Sequence, residues 1–284
     1  MRPGTSLLAV LALLLLVAGC TERPQVAEPA RPEQVQRLIC LAPNLTETVF
    51  ALGLGDRVVA VTDNDHYPPQ VESLPRVGGM QPDYERLLAF HPDLVLLDAN
   101  LQGQELQARL KGLGLPVLAL KTMTLEDLQA NLPILGRALG AEKQAAEALE
   151  AFQAGLREVE RAARSLPRAP RVFVEIWGEP LMTAGNTSLV HEIIERSGGD
   201  NIYGDLSETY PTISLEDLIR RDPEIILLTT SETADLPHRA GWQRLTAVRE
   251  GRVYKLNPDL VVRPTLRSLE GLRNLVRIFG EAGL

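Results

Sequence analysis

The sequence predicts an α/β protein made of two similar halves that are joined by one long helix. Short apolar runs alternate with amphipathic stretches along most of the chain, which is typical of α/β folds. The segment Ala141–Leu166 contains no Pro, a single Gly and many good helix formers. In addition, residues 83–97 align without gaps to residues 214–228, so the two halves share a sequence repeat.

The first half, residues 37–140, is predicted to form alternating strands and helices. The predicted strands are Leu38–Ala42, Arg57–Thr62, Leu94–Asp98 and Val117–Leu120. The predicted helices are Leu45–Leu52, Asp83–Phe90, Glu105–Gly112 and a helix from Thr124 to about Leu139. Thr124 is a favourable N-cap, and Gly53 is a favourable residue for ending the first helix.

A long helix, residues 141–166, is predicted to link the halves. Leu149, Phe152, Leu156 and Val159 recur at intervals of three and four, which gives the helix one apolar stripe. At a rise of 1.5 Å per residue it would be roughly 38 Å long, a stiff connection. The second half, residues 167–284, repeats the plan of the first. Its predicted elements are strands Arg171–Ile176, Glu224–Thr229 and Val253–Leu256 and helices Ser188–Arg196, Ser214–Arg221 and Leu266–Phe279.

The N-terminus predicts export and lipid anchoring. Residues 7–19 form an unbroken apolar run, shorter than the roughly 20 residues of a membrane span and typical of a signal peptide. The run ends in Leu16–Cys20, which resembles a bacterial lipobox. We therefore predict a signal peptide over residues 1–19, lipidation of Cys20, a flexible tether over 20–36 and an extracytoplasmic, membrane-anchored protein. An ordinary signal peptide followed by a chance cysteine is the alternative.

The overall composition excludes several functional classes. The formal net charge is −8, which argues against nucleic-acid binding. Apart from Cys20 the chain has only Cys40, which we interpret as a buried core thiol. The histidines lack metal-ligand spacing, and no nucleophile elbow, zinc motif or phosphate loop is present. The sequence therefore predicts neither an enzyme nor a resident cofactor or metal.

Several short motifs, each weak alone, occur in an order that resembles one family of importer proteins. They are Leu41–Glu47, Asp65–Pro69, Val77–Met80, Glu85–Leu88, Pro92–Val95, Thr183–Asn186, Gly198–Ile202 and Tyr210–Ser214. Together they resemble the binding proteins of the vitamin B12 and ferric-siderophore import family, most closely the vitamin B12 branch. The resemblance implies two Rossmann-like lobes joined by one long rigid helix, with a ligand cleft between the lobes.

The implied function is delivery of a metal chelate to an ABC importer. Cobalamin or another corrinoid is the expected ligand, and a ferric siderophore or haem is the alternative. The expected partners are this ligand and an ABC permease and ATPase complex, with the binding protein acting as a monomer. The third hypothesis is a lipoprotein without a transport role or an enzyme of unknown type.

The ligand is expected where the strands of both lobes end, because open α/β sheets leave a crevice at their carboxyl edges. The candidate ligand-binding residues are Pro43, Asn44, Tyr67, Met80, Asn100, Trp177, Tyr210, Asp259 and Arg263. Tyr67 and Tyr210 match aromatic positions that pack on the corrin in the vitamin B12 branch, although either would also suit a core. Gly79 and approximately Asp98 stand where that branch has further aromatic residues, which leaves the ligand identity open.

Two glutamates at equivalent positions of the repeat are candidates for docking. Asp83 and Ser214 are good N-caps, and each is followed by a glutamate in the first helical turn, Glu85 or Glu216. In the resembling family, one glutamate at the tip of each lobe pairs with arginines of the permease. The alternative is that both only stabilise helix N-termini, by about 0.3–1 kcal/mol each.

Overall fold

Parallel strands form the sheet of the N-terminal lobe. A computed structural model describes residues 35–230, 236 and 239–283. The strands are β1 Leu38–Cys40, β2 Val58–Ala60, β3 Leu94–Asp98 and β4 Val117–Leu120, in the spatial order β2-β1-β3-β4. The helices of this part are α1 Pro43–Ala51, α2 Tyr84–Ala89, α3 Gly103–Gly112 and α4 Leu125–Leu139. Buried branched side chains of the strands form the core between the sheet and these helices.

The C-terminal lobe follows α5, Glu142–Arg164, and is built on a second parallel sheet. Its strands are β5 Arg171–Glu175, β6 Trp177–Gly178, β7 Leu181–Met182, β8 Asp200–Asn201, β9 Ile225–Leu228 and β10 Val253–Lys255. Strands β6 and β7 pair as a separate antiparallel hairpin, and the sheet has the order β10-β9-β5-β8. The helices are α6 Leu189–Arg196, α7 Leu215–Arg221, α8 Thr246–Arg249 and α9 Ser268–Glu281.

The sequence repeat corresponds to a structural repeat. Read from its other edge, the second sheet has the order β8-β5-β9-β10, which matches β2-β1-β3-β4 strand for strand. Asp83 and Ser214 each accept a hydrogen bond from the backbone N–H three residues on, at 3.1 Å in both cases. After each helix an equivalent residue, His91 or Asp222, takes a positive φ near 43°. The two segments therefore have the same local structure as well as a similar sequence.

Helix α5 crosses from one lobe to the other. Ala145 and Leu149, in its first half, pack in the N-terminal core, and Phe152 and Val159 pack in the C-terminal core. Because each half of α5 is embedded in a different core, the helix fixes the two lobes relative to each other. This agrees with the stiff linking helix predicted from the sequence, which the structure places over residues 142–164.

Helix α4 also crosses the junction, antiparallel to α5. Leu125 and Leu128 in its first turn lie in the C-terminal core, and the Leu125 N–H donates to the Glu192 carboxylate at 3.1 Å. Gly136 allows the two helices to approach, since a Cβ there would lie only 2.8 Å from the Ala145 Cβ. The prediction from the sequence assigned all of residues 37–140 to the N-terminal lobe, but the start of α4 packs with the other lobe.

The N-terminal lobe includes residues that the sequence assigned to the tether. Val35 is buried in the core of this lobe, and the Gln36 N–H donates to the Asp93 carboxylate at 2.8 Å. The tether prediction of residues 20–36 is therefore two residues too long. The predicted signal peptide, Cys20 and the rest of the tether lie outside the described residues. No helix within the described residues has the length and apolar character needed to cross a membrane.

Candidate ligand-binding cleft

The loops that follow the strands of the two sheets meet across the junction between the lobes. Arg267, in the C-terminal lobe just before α9, lies 3.3 Å from the carboxylate of Glu47 on α1. The same guanidinium stacks on the ring of Tyr67 in the N-terminal lobe, 3.6 Å from its centroid. These contacts bring the loop after β2 against the loop after β10. The carboxyl edges of both sheets therefore border one cleft.

Large apolar side chains are exposed among these loops. Of the candidate ligand residues, Tyr67 is 39% exposed, Met80 57%, Trp177 51% and Tyr210 36%. Exposure of aromatic rings costs hydrophobic free energy and typically marks a binding surface. Leu101, at 62% exposure beside Asn100, is a further apolar residue of this kind. Sequence reasoning missed Leu101 because a leucine following a buried strand is usually a core residue.

Backbone hydrogen bonds hold two of the aromatic residues in one part of the C-terminal lobe. Trp177 pairs with Met182 in the hairpin β6–β7, and its indole N–H donates to the Glu179 carbonyl at 2.8 Å. Met182 in turn forms an isolated bridge with Thr212. The segment carrying Tyr210 is thereby fixed against the hairpin that carries Trp177.

The arginines placed among these loops are each paired with a carboxylate. Arg263 lies 3.2 Å from Asp259, the polar pair expected from the sequence. Arg239 donates at 2.6 Å to Glu175, which is fully buried at the end of β5. With Arg267 on Glu47, three guanidiniums of these loops have a carboxylate partner and still offer hydrogen-bond donors.

Three further candidate residues differ in how much surface they offer to a ligand: Asn44, Pro43 and Asn100. Asn44 is only 7% exposed, and its side-chain oxygen accepts the Leu45 N–H at 2.9 Å. Pro43 is partly exposed at the first position of α1. Asn100 is exposed, and its side-chain oxygen accepts the Thr122 N–H at 3.4 Å. The structure thus leaves Asn44 little surface for ligand contact, and its role in ligand binding stays a prediction.

Asp98 organises the loop after β3 and does not face a ligand. Its carboxylate accepts the N–H groups of Asn100 and Leu101 at 2.7 and 3.1 Å, and the Thr122 hydroxyl donates to it. The side chain is buried. The position where the vitamin B12 branch has an aromatic residue therefore has a supporting role here.

Glu85 and Glu216 are exposed in the first turns of α2 and α7. Within the part of the chain that the structure describes, neither carboxylate forms an ion pair. Both are therefore free to meet cationic groups of a partner.

The thiol of Cys40 belongs to the core of the N-terminal lobe. Cys40 is buried, and burial raises the pKa of its thiol well above the ordinary value. It is a core residue, as predicted. Among residues 35–230, 236 and 239–283, no three His, Cys, Asp or Glu side chains are grouped so that they could hold a metal ion.

Comparison with known proteins identifies the family. A family model described as periplasmic binding protein matches residues 38–260. The chain belongs to this family. It is 32% identical to the vitamin B12-binding protein of Vibrio parahaemolyticus, over 84% of this chain and 88% of the relative. It is 30% identical to the uncharacterized ABC transporter substrate-binding lipoprotein YvrC of Bacillus subtilis, over 86% of this chain and 79% of the relative.

Solved structures of the family have the same fold. The periplasmic vitamin B12 binding protein BtuF of Vibrio cholerae matches with a TM-score of 0.77 and 28% identity, covering 88% of this chain and 98% of that one. A periplasmic haem-binding protein of Pseudomonas aeruginosa matches with a TM-score of 0.78 and 29% identity, covering 87% and 93%. The chain is thus an ABC-type substrate-binding protein with two α/β lobes and not an enzyme. Its partners are a small-molecule ligand and a permease and ATPase complex.

Proposed function

We propose that this protein binds cobalamin or another corrinoid and delivers it to an ABC importer. The observation that carries the proposal is the set of exposed apolar faces on both sides of the cleft: Tyr67 and Met80 from one lobe, Trp177 and Tyr210 from the other. A corrinoid is a broad ring with apolar faces and an edge of amides. Flat aromatic surfaces combined with a few polar groups suit such a ligand.

The charge of the cleft also favours an uncharged ring. Arg239, Arg263 and Arg267 are each neutralised by a carboxylate of this chain. A ferric catecholate or the two propionates of haem would require unpaired cations, because a buried anion without a partner costs several kcal/mol. The amides of a corrinoid require only hydrogen bonds, which paired arginines still supply.

Haem is the second candidate, favoured by the similarity to the Pseudomonas aeruginosa protein. The carboxylate partners of Arg239, Arg263 and Arg267 are our reason for ranking haem, which carries two propionates, behind a corrinoid.

Titration of the purified protein distinguishes the candidates. We expect saturable one-to-one binding of cyanocobalamin or dicyanocobinamide by calorimetry, and no comparable binding of hemin or a ferric hydroxamate. Tight binding of hemin or the hydroxamate, with no heat from either corrinoid, would contradict the corrinoid proposal and leave the family assignment intact.

We further propose that Cys20 anchors the protein to a membrane through acyl chains. The lipobox-like Leu16–Cys20 supports this, and the Bacillus subtilis relative is named a lipoprotein. The Cys20→Ser variant should lose incorporation of labelled palmitate and leave the membrane fraction. The matched control is Cys40→Ser, which alters a buried thiol and should remain acylated. Continued acylation of the Cys20→Ser protein would disprove the anchor.

Glu85 and Glu216 are proposed to dock onto cationic residues of the permease. They are exposed, unpaired among the described residues and carried by equivalent capped helices of a rigid body. Two carboxylates with a fixed separation provide both affinity and orientation. The protein is expected to dock as a monomer, since one chain carries both contacts.

A further inference from the structure

A pocket lies beside Tyr67 where the two lobes meet, and it has a volume of about 240 Å³. We call it the Arg267 pocket. Glu47, Phe50, Ala51 and Tyr67 contribute to it from the N-terminal lobe, and Leu266 and Arg267 from the C-terminal lobe. Tyr67 lines this pocket and is also one of the residues proposed to contact the ligand. A ring ligand that lies against the exposed part of Tyr67 therefore brings its periphery to the mouth of the pocket.

The polar groups of the pocket offer hydrogen-bond donors without net charge. The Arg267 guanidinium stacks on Tyr67 and, among the described residues, makes one side-chain hydrogen bond, to Glu47 at 3.3 Å, with the exposed Glu270 carboxylate 3.9 Å from its Nε. A guanidinium has five N–H donors, so most of them are unused. Glu47 is 5% exposed, and one of its oxygens has no hydrogen-bond partner among the described residues. Its negative charge therefore acts mainly on Arg267.

The rest of the wall is mostly apolar, with the polar residues Gln70 and Thr265 also contributing to it. Phe50 and Leu266 line the pocket on opposite sides of the lobe junction. They suit methylene groups, and the free donors of Arg267 suit a carbonyl oxygen at the end of such a chain. A carboxylate would gain little from Arg267, because the charge of the guanidinium is already balanced, and it would lie near the Glu47 anion. An amine would also be disfavoured, because its positive charge would lie near the guanidinium.

We propose that the Arg267 pocket is a specificity subsite that receives an uncharged carboxamide arm of the ligand bound in the cleft. The amide carbonyl accepts a hydrogen bond from Arg267, and Glu47 excludes a carboxylate by neutralising that guanidinium. This inference rests on the proposed corrinoid function, since a corrinoid carries carboxamide arms around its ring. It assigns to Glu47 and Arg267 the discrimination between a ligand that carries an amide at this position and one that carries a carboxylate.

The test compares cyanocobalamin with its monocarboxylic acids, in each of which one ring amide is replaced by a carboxylate. The wild-type protein should bind one of these acids about tenfold more weakly than cyanocobalamin, as expected for a hydrogen-bonded group replaced by a repelled one. Glu47→Gln leaves Arg267 with only the exposed and more distant Glu270 carboxylate, and it should remove or reverse this preference. The control is Glu270→Gln, which removes an exposed carboxylate 3.9 Å from Arg267 but outside the pocket. It should bind all the ligands as the wild type does.

A second variant keeps the test decisive if Glu47→Gln fails to fold. Ala51 is exposed at the end of α1 and borders the pocket, so Ala51→Trp should fill it and weaken cyanocobalamin binding about tenfold. Ala89→Trp, at the exposed end of α2, is the matched control and should bind normally. Equal affinity for all the acids, with no effect of Ala51→Trp, would overturn the subsite but leave corrinoid binding intact. Absence of any corrinoid binding by the wild type would overturn both.

Discussion

Asp93 in the N-terminal lobe and Glu224 in the C-terminal lobe occupy equivalent positions of the repeat. The Asp93 carboxylate accepts the Arg37 N–H at 2.9 Å, and the Glu224 carboxylate accepts the Arg171 N–H at 3.0 Å. Each acid thereby fixes the start of the central strand of its sheet. Only Glu224 also binds a guanidinium through both oxygens, that of Arg168 at 2.6 and 2.7 Å. The two lobes share the hydrogen bond from the backbone N–H to the acid. They differ in that the acid of the C-terminal lobe also pairs with an arginine.

The lobes differ more strongly in the segments that reach the cleft. The N-terminal lobe runs from β1 into α1 and places Tyr67 and Met80 in the long loop after β2. The C-terminal lobe inserts the hairpin β6–β7 between β5 and α6, and this hairpin carries Trp177. The repeat therefore provides the scaffold and the two helices proposed for docking, whereas unequal insertions carry the aromatic residues proposed to contact the ligand.

The largest expected effect comes from reversing charge in both docking helices. Glu85→Arg combined with Glu216→Arg should abolish uptake, because like charges facing the permease cost several kcal/mol. Ligand affinity measured by calorimetry should not change. Each single change should reduce uptake less than the pair does, since the lobes contribute equivalent contacts. Glu147→Arg, on exposed α5 surface, is the control. Normal uptake by the double variant would limit both glutamates to stabilising their helices.

The two halves of α5 should contribute unequally to stability. Phe152 is fully buried in the C-terminal core, so Phe152→Ala should lower the free energy of unfolding by about 3–5 kcal/mol. Leu149 is only partly buried against the N-terminal core, and Leu149→Ala should cost less. Urea denaturation monitored by circular dichroism measures both. The opposite order would mean that α5 is anchored mainly in the N-terminal lobe.

Aromatic residues from the two lobes should contribute similarly to ligand binding. Tyr67→Ala and Tyr210→Ala should each weaken corrinoid binding by about 1–3 kcal/mol, as is usual for interface aromatics. Leu113→Ala removes an equally exposed apolar side chain at the end of α3 and should leave the affinity unchanged. If only one tyrosine mattered, the ligand would lie against one lobe and not between the two.

The contribution of Glu224 to stability should depend on pH. The Arg168 guanidinium and the Arg171 N–H lower the pKa of Glu224 to about 2. The stabilisation from Glu224 is therefore present above its ordinary pKa near 4.5 and is lost as the pH falls from there towards 2. Glu224→Gln should unfold at a lower urea concentration than the wild type at pH 7, by less than Phe152→Ala does, and the difference should shrink below pH 4.5. A difference that stays constant with pH would show that the charge of Glu224 is not involved.

The smallest expected effect is a change of shape on ligand binding. Both α4 and α5 pass between the lobe cores, so the angle between the lobes should hardly change. Small-angle scattering with and without cyanocobalamin should give the same radius of gyration within error. A clear decrease would show that one lobe closes on the other despite the paired helices.

Much of the fold is predictable from local sequence. Thr124 caps α4 with a reciprocal hydrogen-bond pattern to Asp127, as its position before an apolar repeat indicates. Most predicted helices and strands agree with the structure to within a few residues. The edge strand β8, the hairpin β6–β7 and the short helix α8 were not predicted, because two to four residues are too few to show a periodic pattern.

The ligand-binding role of the candidate residues stays a prediction, but the structure shows how accessible each of them is. Tyr67, Trp177 and Tyr210 were selected because they follow or adjoin strand ends, and the structure shows them exposed. Asn44 has the same kind of sequence position, yet it is buried. Exposure depends on what the rest of the chain places over a residue, and the sequence around Asn44 does not contain that information.

The sequence by itself determined the alternation of strands and helices, the repeat, the equivalent glutamates Glu85 and Glu216 and the family motifs. These depend on side-chain periodicity, caps and order along the chain, which are local properties. Only the tertiary structure decided that α4 joins the lobes together with α5, and that Glu47 pairs with Arg267, 220 positions later in the chain. Contacts between distant residues form because burial of whole apolar faces brings their elements together, and no local pattern encodes which partners then meet.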